Sequence, residues 1–134
     1  MHKRTTRYLF LALAIGWAVI IFYLSSQPGI DAPLLFPGQD KLFHLIVFAM
    51  LGFFLMGSMK ANSGGYRIIQ VWFVILLVAA YGVLDEFHQY FVPGRTVDIF
   101  DALADAAGGL LGAWAMYYLV KVLASRSTLS PPAQ

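Results

Sequence analysis

The stretch DIFDALADAAGGLLG, residues 98–112, carries three carboxylates into one of the apolar segments of this chain. Asp98, Asp101 and Asp105 are spaced i, i+3 and i+7, so on an α-helix they form one stripe. The stripe continues into Gly108 and Gly112, and small residues four apart allow a neighbouring helix to approach closely within a membrane. We therefore predict a helix whose polar and small face packs against protein rather than lipid.

The composition of the whole chain is that of a membrane protein. Of its 134 residues, 60% are hydrophobic and 12% are charged, whereas soluble domains are about 45–50% apolar. The absence of cysteine excludes disulfides, thiolate metal sites and thiol nucleophiles. The basic residues are scattered at segment ends, which argues against a nucleic-acid partner. We expect one domain over residues 1–124 and a frayed cytoplasmic tail over 125–134.

Four apolar runs approach the length of roughly 20 residues that crosses about 30 Å of hydrocarbon as a helix. They cover residues 8–24, 42–59, 68–84 and 99–123. The first follows a basic start, but it lacks a cleavage pattern after it and is predicted to be a retained signal anchor. The predicted fold is all-α, an integral membrane four-helix bundle.

The distribution of charge predicts the orientation of this bundle. Of the nine Lys and Arg residues, seven lie before span one, between spans two and three, or at the end of span four. Basic residues favour the cytoplasmic side, so both termini should be cytoplasmic in a multi-pass protein of the cell membrane. All seven acidic residues, Asp31 included, then lie on the extracytoplasmic side together with Lys41 and Arg95.

Polar residues at that side form the candidate site, because ionisable groups at or inside a bilayer are costly and usually functional. Asp40 and His44 are one turn apart at the start of span two. Asp98 and Asp40 could instead cap helix N-termini, where carboxylates are favoured. Asp105 lies about 10 Å along span four and needs a partner, a proton or water.

Asp85 and Glu86 lie near the C-terminus of span three, where the helix dipole disfavours negative charge. A purely structural role requires Lys41 or Arg95 to neutralise them. The six carboxylates around the site and these two basic residues leave a formal charge of −4 with the histidines neutral. The site could therefore hold a divalent cation, which carboxylate and imidazole ligands suit, or keep several carboxyl groups protonated.

The candidate residues fall into two predicted roles. The metal ligands or general acid/base groups are predicted to be Asp85, Glu86, His88 and Asp101. The other binding residues are predicted to be Asp40, Lys41, His44, Gln89, Arg95, Asp98 and Asp105.

Three segments of the chain resemble the VanZ-like family of small integral membrane proteins. They are DKLFHLIVFA at 40–49, DEFHQYFVPGR at 85–95 and DALADAAGGLLG at 101–112, within a similarity that spans about 25–115. The founding member of the family is associated with resistance to the glycopeptide teicoplanin, so the resemblance implies an envelope-related role. One departure is Asp105, where the family usually has asparagine.

Three functions remain open from the sequence. The first is an outward-facing site that binds or modifies a cell-envelope component such as a lipid-linked precursor, affecting glycopeptide susceptibility; whether it is an enzyme stays open. The second is a non-catalytic protein that binds an envelope lipid, a membrane protein partner or a second copy of itself, with the polar cluster as interhelical glue. The third, proton-coupled transport, is disfavoured because broken midplane helices and repeated halves are missing.

Overall fold

The computed structural model describes residues 2–28, 36–61 and 65–129, apart from the side chains of residues 2, 3 and 127–129. The helices are α1 (His2–Ser25), α2 (Gln39–Ser58), α3 (Ile68–Gln89) and α4 (Ile99–Leu129). Each is long and apolar enough to cross a membrane. The predicted all-α fold with four spans is confirmed, and the described residues contain no strand. Asp31 lies outside the described residues.

Two helices continue past the ends that the apolar runs predict. α3 reaches Gln89 rather than residue 84, and α4 reaches Leu129 rather than residue 123, so part of the predicted frayed tail is helical. A drop in hydropathy marks where side chains become polar, but the helical hydrogen bonds continue until the chain meets a breaker. For α3 the chain passes from Gln89 through turn hydrogen bonds to Val92, and Pro93 and then Gly94, whose φ is 74°, follow. The extension places Asp85 and Glu86 inside the last turns of α3.

The closest packing in the bundle is between α2 and α4. A Cβ added to Gly108 would strike the Leu45 carbonyl, and one added to Gly112 would strike the Ala49 carbonyl. A Cβ on Gly52 would lie 2.5 Å from the Gly109 carbonyl oxygen. Only hydrogen fits between these backbones, which confirms that the small-residue face of α4 packs against protein.

The apolar core lies beside this contact, among α2, α3 and α4, with Ile21 of α1 packed into it. Its most buried side chains are Phe48, Met56, Val71, Val74, Val78 and Ala113. α1 packs mainly on α2 and little on α3. Several side-chain hydrogen bonds fix it, and two of them lie near its middle: Trp17 Nε1 donates to the Val47 carbonyl at 2.8 Å, and the Tyr81 hydroxyl donates to the Ala18 carbonyl at 2.7 Å.

The two ends of the bundle differ in charge. At one end, called the acidic end, Ser25 of α1, Asp40 of α2, Asp85 of α3 and Asp98 beside α4 come together. The opposite end, called the basic end, carries Arg4, Arg7, Lys60, Arg67, Lys121 and Arg126. Consecutive helices are therefore antiparallel. The described acidic residues gather at the acidic end with Lys41 and Arg95, and the other described basic residues lie at the basic end.

Candidate functional site

The carboxylates of the acidic end form two layers, and the layer nearer the end is organised by Lys41. Its Nζ lies 2.9 Å from Asp40 Oδ2, 2.6 Å from Asp98 Oδ2 and 3.0 Å from Asp101 Oδ1. We call these four residues the outer cluster. They join the start of α2 to the start of α4, because Lys41 and Asp101 lie on those two helices.

Asp98 is the residue of the outer cluster that precedes a membrane span. Its Oδ1 accepts the backbone N–H of Phe100 at 2.9 Å, so the predicted capping of α4 is confirmed. The hydrogen bond from the Lys41 ammonium is the larger cause that holds the pKa of Asp98 below its usual range, and the bond from the Phe100 N–H is the second cause. Asp40 does not cap α2 in the same way, because Gly38 is the N-cap and no side chain caps that helix.

The second layer, called the inner cluster, consists of His44, Asp85, Glu86 and Asp105. Asp105 is completely buried, and its Oδ1 lies 2.9 Å from His44 Nδ1. This pair gives the deep carboxylate the partner that its position requires. Asp85 and Glu86 are also buried, with 4% and 5% of their surface exposed.

Neutral donors hold the two carboxylates of α3. Asp85 Oδ2 accepts from Ser25 Oγ and from Gln89 Nε2, each at 2.9 Å. Glu86 Oε2 accepts the backbone N–H of Asp98 at 2.9 Å. Each carboxylate thus has one oxygen fixed by the protein, which sets the direction of the other.

Neither Lys41 nor Arg95 pairs with Asp85 or Glu86, so the condition for a purely structural role of these two acids is not met among the described residues. Among the described residues, Lys41 forms its ion pairs within the outer cluster. Arg95 donates through Nε to the Gln27 carbonyl at 3.2 Å and through Nη2 to the Leu24 carbonyl at 3.1 Å. Those carbonyls lie at the C-terminal end of α1, where a cation is favoured.

With its carboxyl groups ionised, the inner cluster would carry negative charge that no described Lys or Arg compensates. Within the described chain no Lys or Arg pairs with it, and buried Glu86 Oε1 and Asp105 Oδ2 have no hydrogen-bond partner there. An unpaired carboxylate away from water is strongly disfavoured. The cluster needs protons or a bound cation to be stable.

The structure separates the four predicted metal or acid/base residues. Ligand atoms of His44, Asp85 and Glu86 lie within 4.8 Å of one another, as do those of Asp40, Asp98 and Asp101. Asp101 therefore belongs with the outer carboxylates, and His44 joins Asp85 and Glu86 where His88 was expected.

His88 faces α1 rather than the inner cluster. Its Nε2 lies 2.9 Å from Ser26 Oγ, and its ring centroid lies 4.5 Å from that of Phe22. The depth of each residue along its helix could have identified the histidine that meets the deep carboxylate. His44 lies one turn below Asp40, as Asp105 lies one turn below Asp101, so the two deeper residues meet where α2 and α4 pack.

A cavity of about 380 Å³ opens beside the inner cluster, between α1, α2 and α3. Its polar lining includes His44, Asp85 and Gln89, and Arg95 contributes the basic group. The apolar lining consists of Ile21, Leu24, Phe43, Val47 and Phe48. This volume and mixture of groups suit a molecule with a polar head and an apolar body.

Comparison with protein families gave one match. A family model described as VanZ/LLP1 matches residues 10–121 of the 134-residue chain. Neither the curated proteins nor the solved structures that were compared gave a match. The matched range contains both clusters and all the residues that line the cavity.

Proposed function

This chain belongs to the VanZ/LLP1 family, and from that premise we propose that its acidic end faces outward and binds or modifies a component of the cell envelope. The four apolar helices already make it a multi-pass membrane protein. The bias of basic residues toward the other end supports an extracytoplasmic acidic end.

The observation that carries this proposal is the incomplete bonding of the inner cluster beside an open cavity. Interhelical polar networks that serve only structure satisfy their buried atoms, since an orphaned polar atom lowers stability. Glu86 and Asp105 each keep a buried oxygen without a described partner. Neither residue lines the cavity, so a proton or a small ion, rather than the bound molecule itself, is the partner suited to these atoms.

The cavity indicates the class of envelope component. Its apolar side chains suit the chain of a lipid, and Arg95 at the polar part suits a phosphate or carboxylate headgroup. A lipid-linked precursor has both parts.

One observation favours the alternative of interhelical glue for part of the site. Lys41 contacts three carboxylates, from α2, from α4 and from the residue before α4. These contacts use all three N–H donors of its ammonium group. The outer cluster therefore has the character of a structural clamp. On this view the inner cluster and the cavity perform the binding.

The experiment compares Glu86→Gln and Arg95→Ala with the outer-cluster variant Asp98→Asn, all expressed to equal levels in membranes. Native mass spectrometry of the purified proteins would measure co-purifying lipid, and growth assays would measure teicoplanin susceptibility. We expect the first two variants to lose lipid and any protection while Asp98→Asn retains both. Unchanged lipid and susceptibility in Glu86→Gln and Arg95→Ala would reject the proposal.

A second experiment tests the orientation. A reporter active only outside the cytoplasm is inserted after Gly94, in the exposed turn between α3 and α4. Strong reporter activity there, and weak activity for an insertion after Lys60, is the expected pattern. The reverse pattern would place the acidic end in the cytoplasm and exclude an envelope ligand.

A further inference from the structure

We propose that the inner cluster is a divalent metal site whose protein ligands are the imidazole of His44 and one oxygen each from Asp85 and Glu86. The role of the ion rests on the function proposed above, because it would present a positive charge to the headgroup in the cavity. The site itself depends only on the geometry of the three side chains.

The three side chains are close enough to share one ion. One ligand atom from each lies within 4.8 Å of the other two. Ligands about 2.1 Å from a tetrahedral metal are separated by about 3.4 Å from each other. Small side-chain rotations toward a common centre would therefore complete the coordination.

One polar atom of each of these side chains is held by the protein, and the other polar atom is the one assigned to the metal. His44 Nδ1 bonds to Asp105 Oδ1 at 2.9 Å, which leaves Nε2 for a metal. Asp85 Oδ2 is fixed by Ser25 and Gln89, and Glu86 Oε2 is fixed by the Asp98 N–H. Supporting bonds of this kind, a carboxylate behind a metal-binding histidine above all, are usual around protein metal ions.

An independent observation indicates that a ligand belongs among these groups. Glu86 is 5% exposed, and its Oε1 is buried without a hydrogen bond from any described residue. With neutral His44, the inner cluster bears a formal charge of −3 from Asp85, Glu86 and Asp105. A divalent ion reduces this to −1 and supplies the missing partner of Glu86.

The donor types favour an ion of intermediate hardness. One imidazole nitrogen with two carboxylate oxygens suits Zn²⁺, Mn²⁺ or Fe²⁺. Ca²⁺ prefers six to eight oxygen ligands, which this cluster does not provide. Three protein ligands leave a coordination position for water or an anionic group, as in metal sites that bind substrate.

The test uses the full chain in detergent, treated with a chelator and then titrated with Zn²⁺ by calorimetry and with Co²⁺ by visible absorption. We expect one ion per chain and Co²⁺ bands typical of four or five ligands. His44→Gln and Glu86→Gln should weaken binding by at least about 100-fold, since each removes a direct ligand. His88→Gln is the matched control, because it removes an imidazole at the same end that lies outside the ligand group, and it should bind like wild type.

Absence of binding to the wild-type chain, or equal weakening by His88→Gln and His44→Gln, would overturn the proposal. Should a ligand variant fold poorly, the wild-type chain alone decides: Zn²⁺ must raise its melting temperature and Ca²⁺ at equal concentration must not. These measurements contain no envelope component. A chain that binds metal but no lipid would refute the envelope function alone, and a chain that binds lipid but no metal would refute this inference alone.

Discussion

The backbone contact at Gly108 holds the inner cluster together, and one added methyl group should disturb it. In Gly108→Ala the new Cβ would strike the Leu45 carbonyl and lie 3.0 Å from the Ala49 nitrogen. Ordinary contacts need about 3.5–4.0 Å, so α2 and α4 must separate by about half an ångström or more. The 2.9 Å bond between His44 and Asp105 lies beside this point. It would lengthen to about 3.4 Å, beyond the usual limit of about 3.2 Å.

The expected loss of stability combines two effects. Forcing an extra carbon into a packed interface costs about 1–3 kcal/mol, and weakening a buried hydrogen bond to a charged group costs about 1.5–3 kcal/mol. Because both arise from one displacement, we expect a decrease of about 2–5 kcal/mol in the free energy of unfolding. Tryptophan fluorescence during denaturation in detergent would measure it, since the chain has three tryptophans.

Gly16→Ala is the matched control for this prediction. Gly16 lies in α1, and a Cβ there would meet no atom within 4 Å. The same chemical change should therefore leave stability within about 1 kcal/mol of wild type, on the stabilising side, because alanine favours the helix. Wild-type stability of Gly108→Ala, or an equal loss in both variants, would refute the reasoning.

Three further predictions concern the acidic end. Lys41→Met should lower the free energy of unfolding by about 1–2 kcal/mol, since its ion pairs are partly exposed; unchanged denaturation would show that the outer cluster contributes nothing. The lowered pKa of Asp98 means that its pairing stabilises the fold above the unfolded pKa of about 3.9 and is lost as pH falls below it. The wild-type melting temperature should therefore drop more steeply in acid than that of Asp98→Asn, and parallel curves would contradict this. Ser25→Ala removes a buried donor to Asp85 and should lower the free energy of unfolding by about 1–3 kcal/mol in the same denaturation assay. Ser26→Ala, at a more exposed serine, should lower it by less. The opposite order would contradict the burial of the Ser25–Asp85 bond.

The spans and the packed face of α4 could be predicted because they depend on features internal to one helix. Apolar length indicates a span, and the spacing of Asp98, Asp101 and Asp105 fixes their common face whatever the neighbours are. The buried, glycine-lined contact with α2 agrees with that prediction. The ends of α3 and α4 were harder to predict, because hydropathy falls before the helical hydrogen bonds stop.

The partners of the polar side chains could not be predicted in the same way. Sequence spacing gives the height of a residue on its own helix, but it does not give the rotation of one helix against another. His88 is three residues from Asp85, yet its ring turns toward Ser26 of the segment after α1. From the sequence, Lys41 could pair with any carboxylate at the same level along the bundle. In the structure α4 packs against α2, so Lys41 pairs with Asp98 and Asp101.

The opposite charges of the two ends have an electrical consequence for the living cell. Moving one elementary charge through 100 mV changes the free energy by about 2.3 kcal/mol. Most of the basic side chains and most of the carboxylates lie at opposite ends of the same helices. A voltage that is negative on the basic side therefore opposes inversion of the protein in the bilayer. Abolishing that voltage would remove this part of the free energy that opposes inversion, without changing any contact between the helices.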